Sequence, residues 1–109
     1  MRQVVVFLLT ISFFSWPAFA SDGKDLYEKS CKVCHGIDGG GNPKIAQMTK
    51  VKPESLNLLK QDTKDKKDKE LATVISDGVG KMKGLKDKLK ASEIALVVGH
   101  IRVLQGGGK

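Results

Sequence analysis

The chain has 109 residues, and its 19 lysines and arginines outnumber its 12 acidic residues, so its formal charge at pH 7 is +7. A chain of this length forms one domain, and a domain this small is only marginally stable without a disulfide, a metal or a cofactor. Two cysteines allow one disulfide at most. We therefore expect another group to complete the core.

The first 20 residues have the order of a secretory signal peptide. Arg2 precedes an apolar run from Val4 to Phe14, and the small-x-small sequence Ala18-Phe19-Ala20 follows. The apolar run is shorter than the about 20 residues that span a membrane, so cleavage after Ala20 is predicted. The prediction is a signal peptide at residues 1–20 and a single exported domain at 21–109; retention of the segment as an N-terminal anchor is the alternative.

The composition of residues 21–109 argues against nucleic acid as a partner. The four phenylalanines and the one tryptophan all precede Ser21, which leaves Tyr27 as the sole aromatic ring and Arg102 as the sole arginine. Bases are read by arginine and stacked on aromatic side chains, so the mature chain is poorly equipped for either. The excess of lysine favours an acidic protein partner.

The first half of the domain is predicted to contain two helices separated by a glycine-rich loop. The first runs from Asp22 to Val33, with Asp22 as its N-cap. Four glycines then prevent regular structure, at positions 36, 39, 40 and 41, and Pro43 ends the loop. Residues 44–51, KIAQMTKV, are expected to form a short helix.

The second half is also predicted to be helical. Residues 60–70, KQDTKDKKDKE, read as a solvated loop and the exposed start of a helix. Leu71, Val74 and Ile75 continue that helix as an apolar stripe, and Gly78 ends it. Ser92 is the expected N-cap of the last helix. The apolar face of that helix comprises Ile94, Val97, Val98, Ile101 and Leu104. Since no segment alternates with period two, the class is all-α.

Cys31, Cys34 and His35 form the sequence Cys-x-x-Cys-His. A disulfide between such close cysteines gives little stability, and a thioredoxin-type redox pair is expected in a βαβ context. A zinc site needs four ligands, and His100 is the only further Cys or His in the chain. The motif is the signature of covalent haem attachment. We predict one haem c, with Cys31 and Cys34 as thioethers on its ring and His35 as an axial ligand of its iron.

Three side chains could occupy the other axial position. Met48 follows the motif closely and is expected to pack against apolar groups under the short helix or at the haem. His100 adjoins the apolar face of the last helix and is interpreted as structural. Met82 lies in the glycine-broken segment DGVGKMKGLKDK, residues 77–88, which can carry a thioether across the haem. Met82 is the preferred ligand.

Residues 21–109 resemble the small monohaem class I c-type cytochromes over nearly their whole length. The resemblance lies in GKDLY (23–27), CKVCHG (31–36), GIDGGGNP (36–43), VISDGVGKM (74–82) and LKASEIALVVGHIRVL (89–104). It implies an all-α helical haem cage in which the first and last helices cross, with His35 and Met82 as axial ligands. It further implies that the carbonyl of Pro43 accepts a hydrogen bond from the second ring nitrogen of His35.

Two positions depart from the family pattern. Lys83 follows Met82 where the family commonly has proline, which implies a less constrained methionine loop. His100 replaces a common aromatic residue of the last helix, near the expected crossing with Tyr27. This makes His100 a second candidate ligand and a possible pH-sensitive contact.

The resemblance implies a one-electron carrier of the periplasm rather than an enzyme. The carrier is expected to be a monomer that contacts membranes only through its partner complexes. Residues 81–90, KMKGLKDKLK, contain five lysines and one acid, which favours redox partners with acidic docking surfaces. Two alternatives remain open. One is a haem-bearing subunit of an oxidase or dehydrogenase complex, and the other is a haem sensor or enzyme with an open coordination site.

Overall fold

The computed structural model describes residues 3–4 and 19–106, so the predicted signal peptide, residues 1–20, lies almost wholly outside the described residues. The elements are α1 (Phe19–Ser30), α2 (Lys32–His35), α3 (Pro43–Thr49), a 3₁₀ turn (Pro53–Leu56), α4 (Gln61–Asp65), α5 (Asp68–Asp77), β1 (Gly78–Val79), β2 (Met82–Lys83) and α6 (Ala91–Leu104). The helical class is confirmed. None of the helices in the described residues is long and apolar enough to cross a membrane.

The core lies where α1 crosses α6, and α5 packs against α6 beside this crossing. The buried apolar side chains of the cluster are Tyr27, Leu71, Ile75, Leu89, Ile94, Val97, Val98 and Ile101, together with Cys31. The predicted apolar face of the last helix is confirmed, with Leu104 packed at the edge of the cluster. Two of the three predicted stripe residues of α5, Leu71 and Ile75, are buried, whereas Val74 is half-buried and lies outside the cluster.

Gly23 allows the two terminal helices to approach each other closely. A Cβ atom at this position would lie 2.4 Å from the carbonyl oxygen of Leu96 and 3.4 Å from the Cβ of His100. One turn later, Tyr27 is fully buried. Its ring centroid lies 5.1 Å from that of His100, with 53° between the ring planes. The glycine therefore admits the backbone of α6, and the tyrosine fills the space beside it.

Both N-caps predicted from the sequence are wrong. α1 is already helical at Phe19, so Asp22 lies in its first turn. α6 begins at Ala91 with Lys90 as N-cap, which makes Ser92 the second helical residue. The carboxylate of Glu93 instead accepts a hydrogen bond of 2.9 Å from the backbone N–H of Lys90. An acid at this position satisfies a free N-terminal donor and complements the helix dipole, so no serine cap is needed.

A short antiparallel hairpin follows α5, where no sheet was expected. Its two strands pair Gly78 with Lys83 and Val79 with Met82. Gly80 has a φ of +55° at the first position of the connecting turn, a position that glycine favours in two-residue hairpins. A Cβ on Gly78 would lie 2.5 Å from the carbonyl oxygen of Met82, so the close approach needs glycine. Strands of two residues are too short to show a period of two.

Residues 60–70 are mostly exposed, as predicted, but Thr63 is buried and residues 61–65 form α4 where a loop was expected. Arg102 of α6 holds this segment against the fold. Its Nε donates a hydrogen bond of 2.8 Å to the carboxylate of Asp68, and its η nitrogens donate to the backbone carbonyls of Lys64 and Lys66. One side chain of the last helix thus fixes the path of the chain between α4 and α5.

We expect Gly23→Ala to lower the free energy of unfolding by about 1–3 kcal/mol, because the added methyl group overlaps a backbone carbonyl that cannot move independently. Gly99→Ala on α6 is the matched control: a Cβ there meets nothing within 4 Å, and we expect a gain of about 0.5–1 kcal/mol from helix propensity. Urea unfolding of the two variants is the measurement. Equal effects of the two substitutions would contradict the close crossing.

Candidate haem-binding site

The cysteine–histidine motif forms a helical turn directly after α1. The backbone N–H of Cys31 donates to the carbonyl of Tyr27 at 2.7 Å, and the N–H of His35 donates to the carbonyl of Cys31 at 3.0 Å. The first helix is therefore interrupted only at Cys31 and does not run unbroken to Val33. The two cysteines are not joined by a disulfide, and Cys31 is buried while Cys34 is half-buried. Residues three apart lie on one helix face, so both sulfur atoms belong to the same side of the turn.

The glycine loop folds back over the end of this turn. The N–H of Gly41 donates to the carbonyl of His35 at 2.6 Å, and the N–H of Asn42 donates to the carbonyl of Cys34 at 3.0 Å. The side chain of Asn42 adds a bond of 3.0 Å to the carbonyl of Val33. These bonds satisfy carbonyls that a helix end leaves free. Gly36, with a φ of +81°, makes the reversal possible.

The Nδ1 atom of His35 lies 2.8 Å from the backbone carbonyl oxygen of Leu56. A carbonyl only accepts hydrogen bonds, so Nδ1 carries the proton and Nε2 keeps its lone pair. The expected acceptor, the carbonyl of Pro43, is corrected to that of Leu56. Pro43 is the first residue of α3, and its carbonyl belongs to the backbone hydrogen bonds of that helix.

The environment of Cys31 differs from that of a nucleophilic redox cysteine, and that of His35 suits a metal ligand. Burial, with a smaller contribution from Cys34, raises the pKa of the Cys31 thiol to about 11. Reactive redox cysteines have lowered pKa values instead. Burial lowers the pKa of His35, opposed by its bond to Leu56, and so favours the neutral ring that binds metals. Among the described residues, no three His, Cys, Asp or Glu side chains come close enough to hold a zinc ion.

The three candidate ligands for the second axial position have different surroundings. Met82 lies on β2, half-buried, and packs against the core cluster. Met48 does not pack under α3, because it is 76% exposed. His100 contacts the ring of Tyr27 in the helix crossing, as expected for a structural histidine.

A family model described as "Cytochrome C oxidase, cbb3-type, subunit III" matches residues 18–101. The chain belongs to this family of c-type cytochromes. Six chains of known structure match. One of them, "KustC0563 c-type cytochrome", has 26% sequence identity and a TM-score of 0.61, covering 81% of this chain and 99% of that chain. A search of curated proteins gave no significant match.

The cytochrome has an all-α fold, and the cofactor of its family is covalently bound haem c. The residues of the motif fit this group. Cys31 and Cys34 provide two sulfur atoms one turn apart, which suits thioether bonds to one porphyrin edge. His35 follows with its Nδ1 bound to Leu56 and its Nε2 available for iron.

Lys81 connects the methionine hairpin of the cytochrome to α3. Its ammonium group donates a hydrogen bond to the backbone carbonyl of Thr49, at the C-terminal end of that helix. A cation at this end also complements the helix dipole. The contact holds the turn before Met82 against α3.

Tyr27 makes a contact with the site that sequence reasoning missed. Its hydroxyl donates a hydrogen bond of 2.6 Å to the carbonyl of Gly36, the residue after His35. A buried tyrosine hydroxyl needs a hydrogen-bond partner. The sequence could therefore indicate that such a partner exists, but not that it is the carbonyl of Gly36. Burial raises the pKa of Tyr27 above its usual value, so the hydroxyl remains a donor at neutral pH.

We expect His100 to make the stability of the cytochrome depend on pH. Burial lowers its pKa in the folded state, with Glu28 opposing and Lys24 adding to this effect. As the pH falls through about 6.5, His100 takes up a proton in the unfolded chain before it does so in the folded chain. The free energy of unfolding therefore decreases.

His100→Phe removes this titrating group and restores an aromatic ring. We expect the free energy of unfolding of the wild type, relative to the Phe variant, to decrease as the pH falls from about 7 to 5. Urea unfolding of both haem-loaded proteins over this range measures the difference, and the contribution of His35 is common to both. A constant difference, or one that grows in acid, would contradict the lowered pKa.

Proposed function

We propose that this cytochrome is a one-electron carrier in which His35 and Met82 are the two axial ligands of the haem iron. The observation that carries the proposal is the setting of Met82, half-buried against the core on a hairpin that Lys81 ties to α3. His100 is engaged with Tyr27 in the helix crossing, and Met48 lies on α3, close in sequence to the motif, so Met82 is preferred to both. When bound, the haem supplies the one-electron change between ferric and ferrous iron.

The ligand pair suits an electron carrier rather than an enzyme. With His35 and Met82 both bound, the iron would have no free coordination site for a substrate. A methionine thioether raises the reduction potential above that of bis-histidine ligation. Lys83, which stands where the family commonly has proline, pairs with Gly78 in the hairpin. The hairpin thus provides the constraint on the methionine loop that proline provides elsewhere.

Exposed lysines favour acidic redox partners. The ion pairs among residues 3–4 and 19–106 are Lys24–Glu28 and Arg102–Asp68, so no lysine of residues 81–90 is neutralised by one of them. Unpaired cations near the proposed ligand Met82 steer an acidic partner toward the haem and make the association fast and sensitive to salt.

The proposed location is the periplasm, with the carrier acting as a soluble monomer after removal of residues 1–20. The signal-like order of these residues supports export. Contact with membranes is then indirect, through the complexes that donate or accept electrons.

A second candidate function is that of a fixed haem subunit in a larger complex. The description of the matching family, which names an oxidase subunit, suggests it. Size-exclusion chromatography of the native protein after mild extraction separates the two: a free carrier elutes at the mass of a small monomer, and a subunit elutes with a membrane complex.

We expect Met82→Ala to abolish the weak far-red absorbance band that marks a methionine–iron bond in the oxidised protein. Met48→Ala is the matched control, since it removes the same side chain from a position outside the methionine hairpin, and we expect it to keep the band. Visible spectroscopy of the oxidised variants is the measurement. Persistence of the band in Met82→Ala, or its loss in Met48→Ala, would contradict the ligand assignment.

A further inference from the structure

A groove of about 410 Å³ lies between α5, the segment after β2 and the beginning of α6. Its lining includes the apolar side chains of Ala72, Leu89 and Ile94, of which Leu89 and Ile94 are buried. The charged lining residues are three exposed lysines, Lys69, Lys86 and Lys90, and one acid, Asp77. None of the proposed haem-binding residues takes part in it.

The wall of this groove is held by backbone hydrogen bonds. The N–H of Leu85 donates to the carbonyl of Ile75 at 2.8 Å, and the N–H of Lys86 donates to the carbonyl of Ser76 at 3.2 Å. Gly84 brings the segment against α5, since a Cβ there would lie 2.4 Å from the carbonyl oxygen of Ser76. The groove is therefore preformed, which lowers the entropic cost of binding.

The fold places four of the five lysines of residues 81–90 on two separate surfaces. Lys81 and Lys83 belong to the methionine hairpin, whereas Lys86 and Lys90 line the groove. Lys69, from a distant part of the sequence, joins the latter pair. None of these three takes part in an ion pair within the described part of the chain. The result is an apolar floor with a predominantly positive rim.

We propose that this groove binds a short acidic segment of a partner protein. Aspartate or glutamate side chains of the segment pair with Lys69, Lys86 and Lys90, and one apolar side chain occupies the floor. Charge complementarity selects this occupant, because the rim carries three cations and one anion. Binding here leaves the methionine hairpin free, so the groove anchors the cytochrome without covering its proposed electron-transfer surface.

A second copy of the chain is the competing occupant. Asp22, Asp25 and Glu93 line a smaller groove between α1 and α6, which could face the lysines of another molecule. Glu93 is already bonded to the N–H of Lys90, and Lys29 lines the same groove. The net charge, +7 for the full chain and +6 once Arg2 is removed with residues 1–20, also makes two copies repel each other, so the partner segment is favoured.

The test uses the haem-loaded protein and a fluorescent peptide of sequence EDLEELDE, with fluorescence anisotropy at low ionic strength as the measurement. We expect saturable binding that Lys69→Glu/Lys86→Glu/Lys90→Glu weakens about tenfold or more. Lys64→Glu/Lys66→Glu/Lys67→Glu is the control with the same charge change outside the groove, and we expect less than about a threefold loss. Replacing both leucines of the peptide with glutamine should also weaken binding, because the floor is then unfilled.

Equal losses in the two triple variants, no effect of the leucines, or no binding at low salt would overturn the proposal. Self-association in sedimentation velocity that only the groove variant abolishes would overturn it in favour of a second copy. The visible spectrum of every variant should match that of the wild type. The peptide-binding result is therefore independent of the proposed ligand pair, which is tested by the far-red band.

Discussion

The hydrogen bond from the hydroxyl of Tyr27 to the carbonyl of Gly36, 2.6 Å long, connects the two parts of the molecule. The ring of Tyr27 is fully buried in the crossing of α1 and α6, where it contacts His100. Gly36 directly follows His35, so the residue that completes the helix crossing also fixes the backbone behind the proposed iron ligand. Leaving a buried polar group unpaired costs about 1–3 kcal/mol, which couples the position of the turn to that of the crossing.

Periodic features of the fold could be predicted from the sequence, and features set by contacts between elements could not. The apolar faces of α5 and α6 follow the helical period, so their burial was foreseen. The caps were not, because Glu93 performs at Lys90 what a serine cap would do. The hairpin was missed because Gly78 and Gly80 act through backbone geometry in strands too short to show a pattern.

The site shows the same division. Cys31, Cys34 and His35 are adjacent in sequence, so a local motif predicts their chemistry. The partner of His35 is the backbone carbonyl of Leu56, and a carbonyl carries no side-chain signal that a sequence could reveal. The lysines of the α5–α6 groove come from separate segments, so only the folded chain assembles them. Met82 was selected from sequence by its glycine-broken setting, and its role as a ligand remains a prediction.

Mass spectrometry of the purified protein after denaturation and proteolysis tests the central claim most directly, that the turn formed by residues 31–35 is the site of haem attachment. The account predicts one haem per chain, retained after denaturation on a peptide that contains Cys31 and Cys34, with both sulfur atoms in thioether bonds. Release of the haem by denaturant, or a peptide in which the two cysteines form a disulfide, would contradict it.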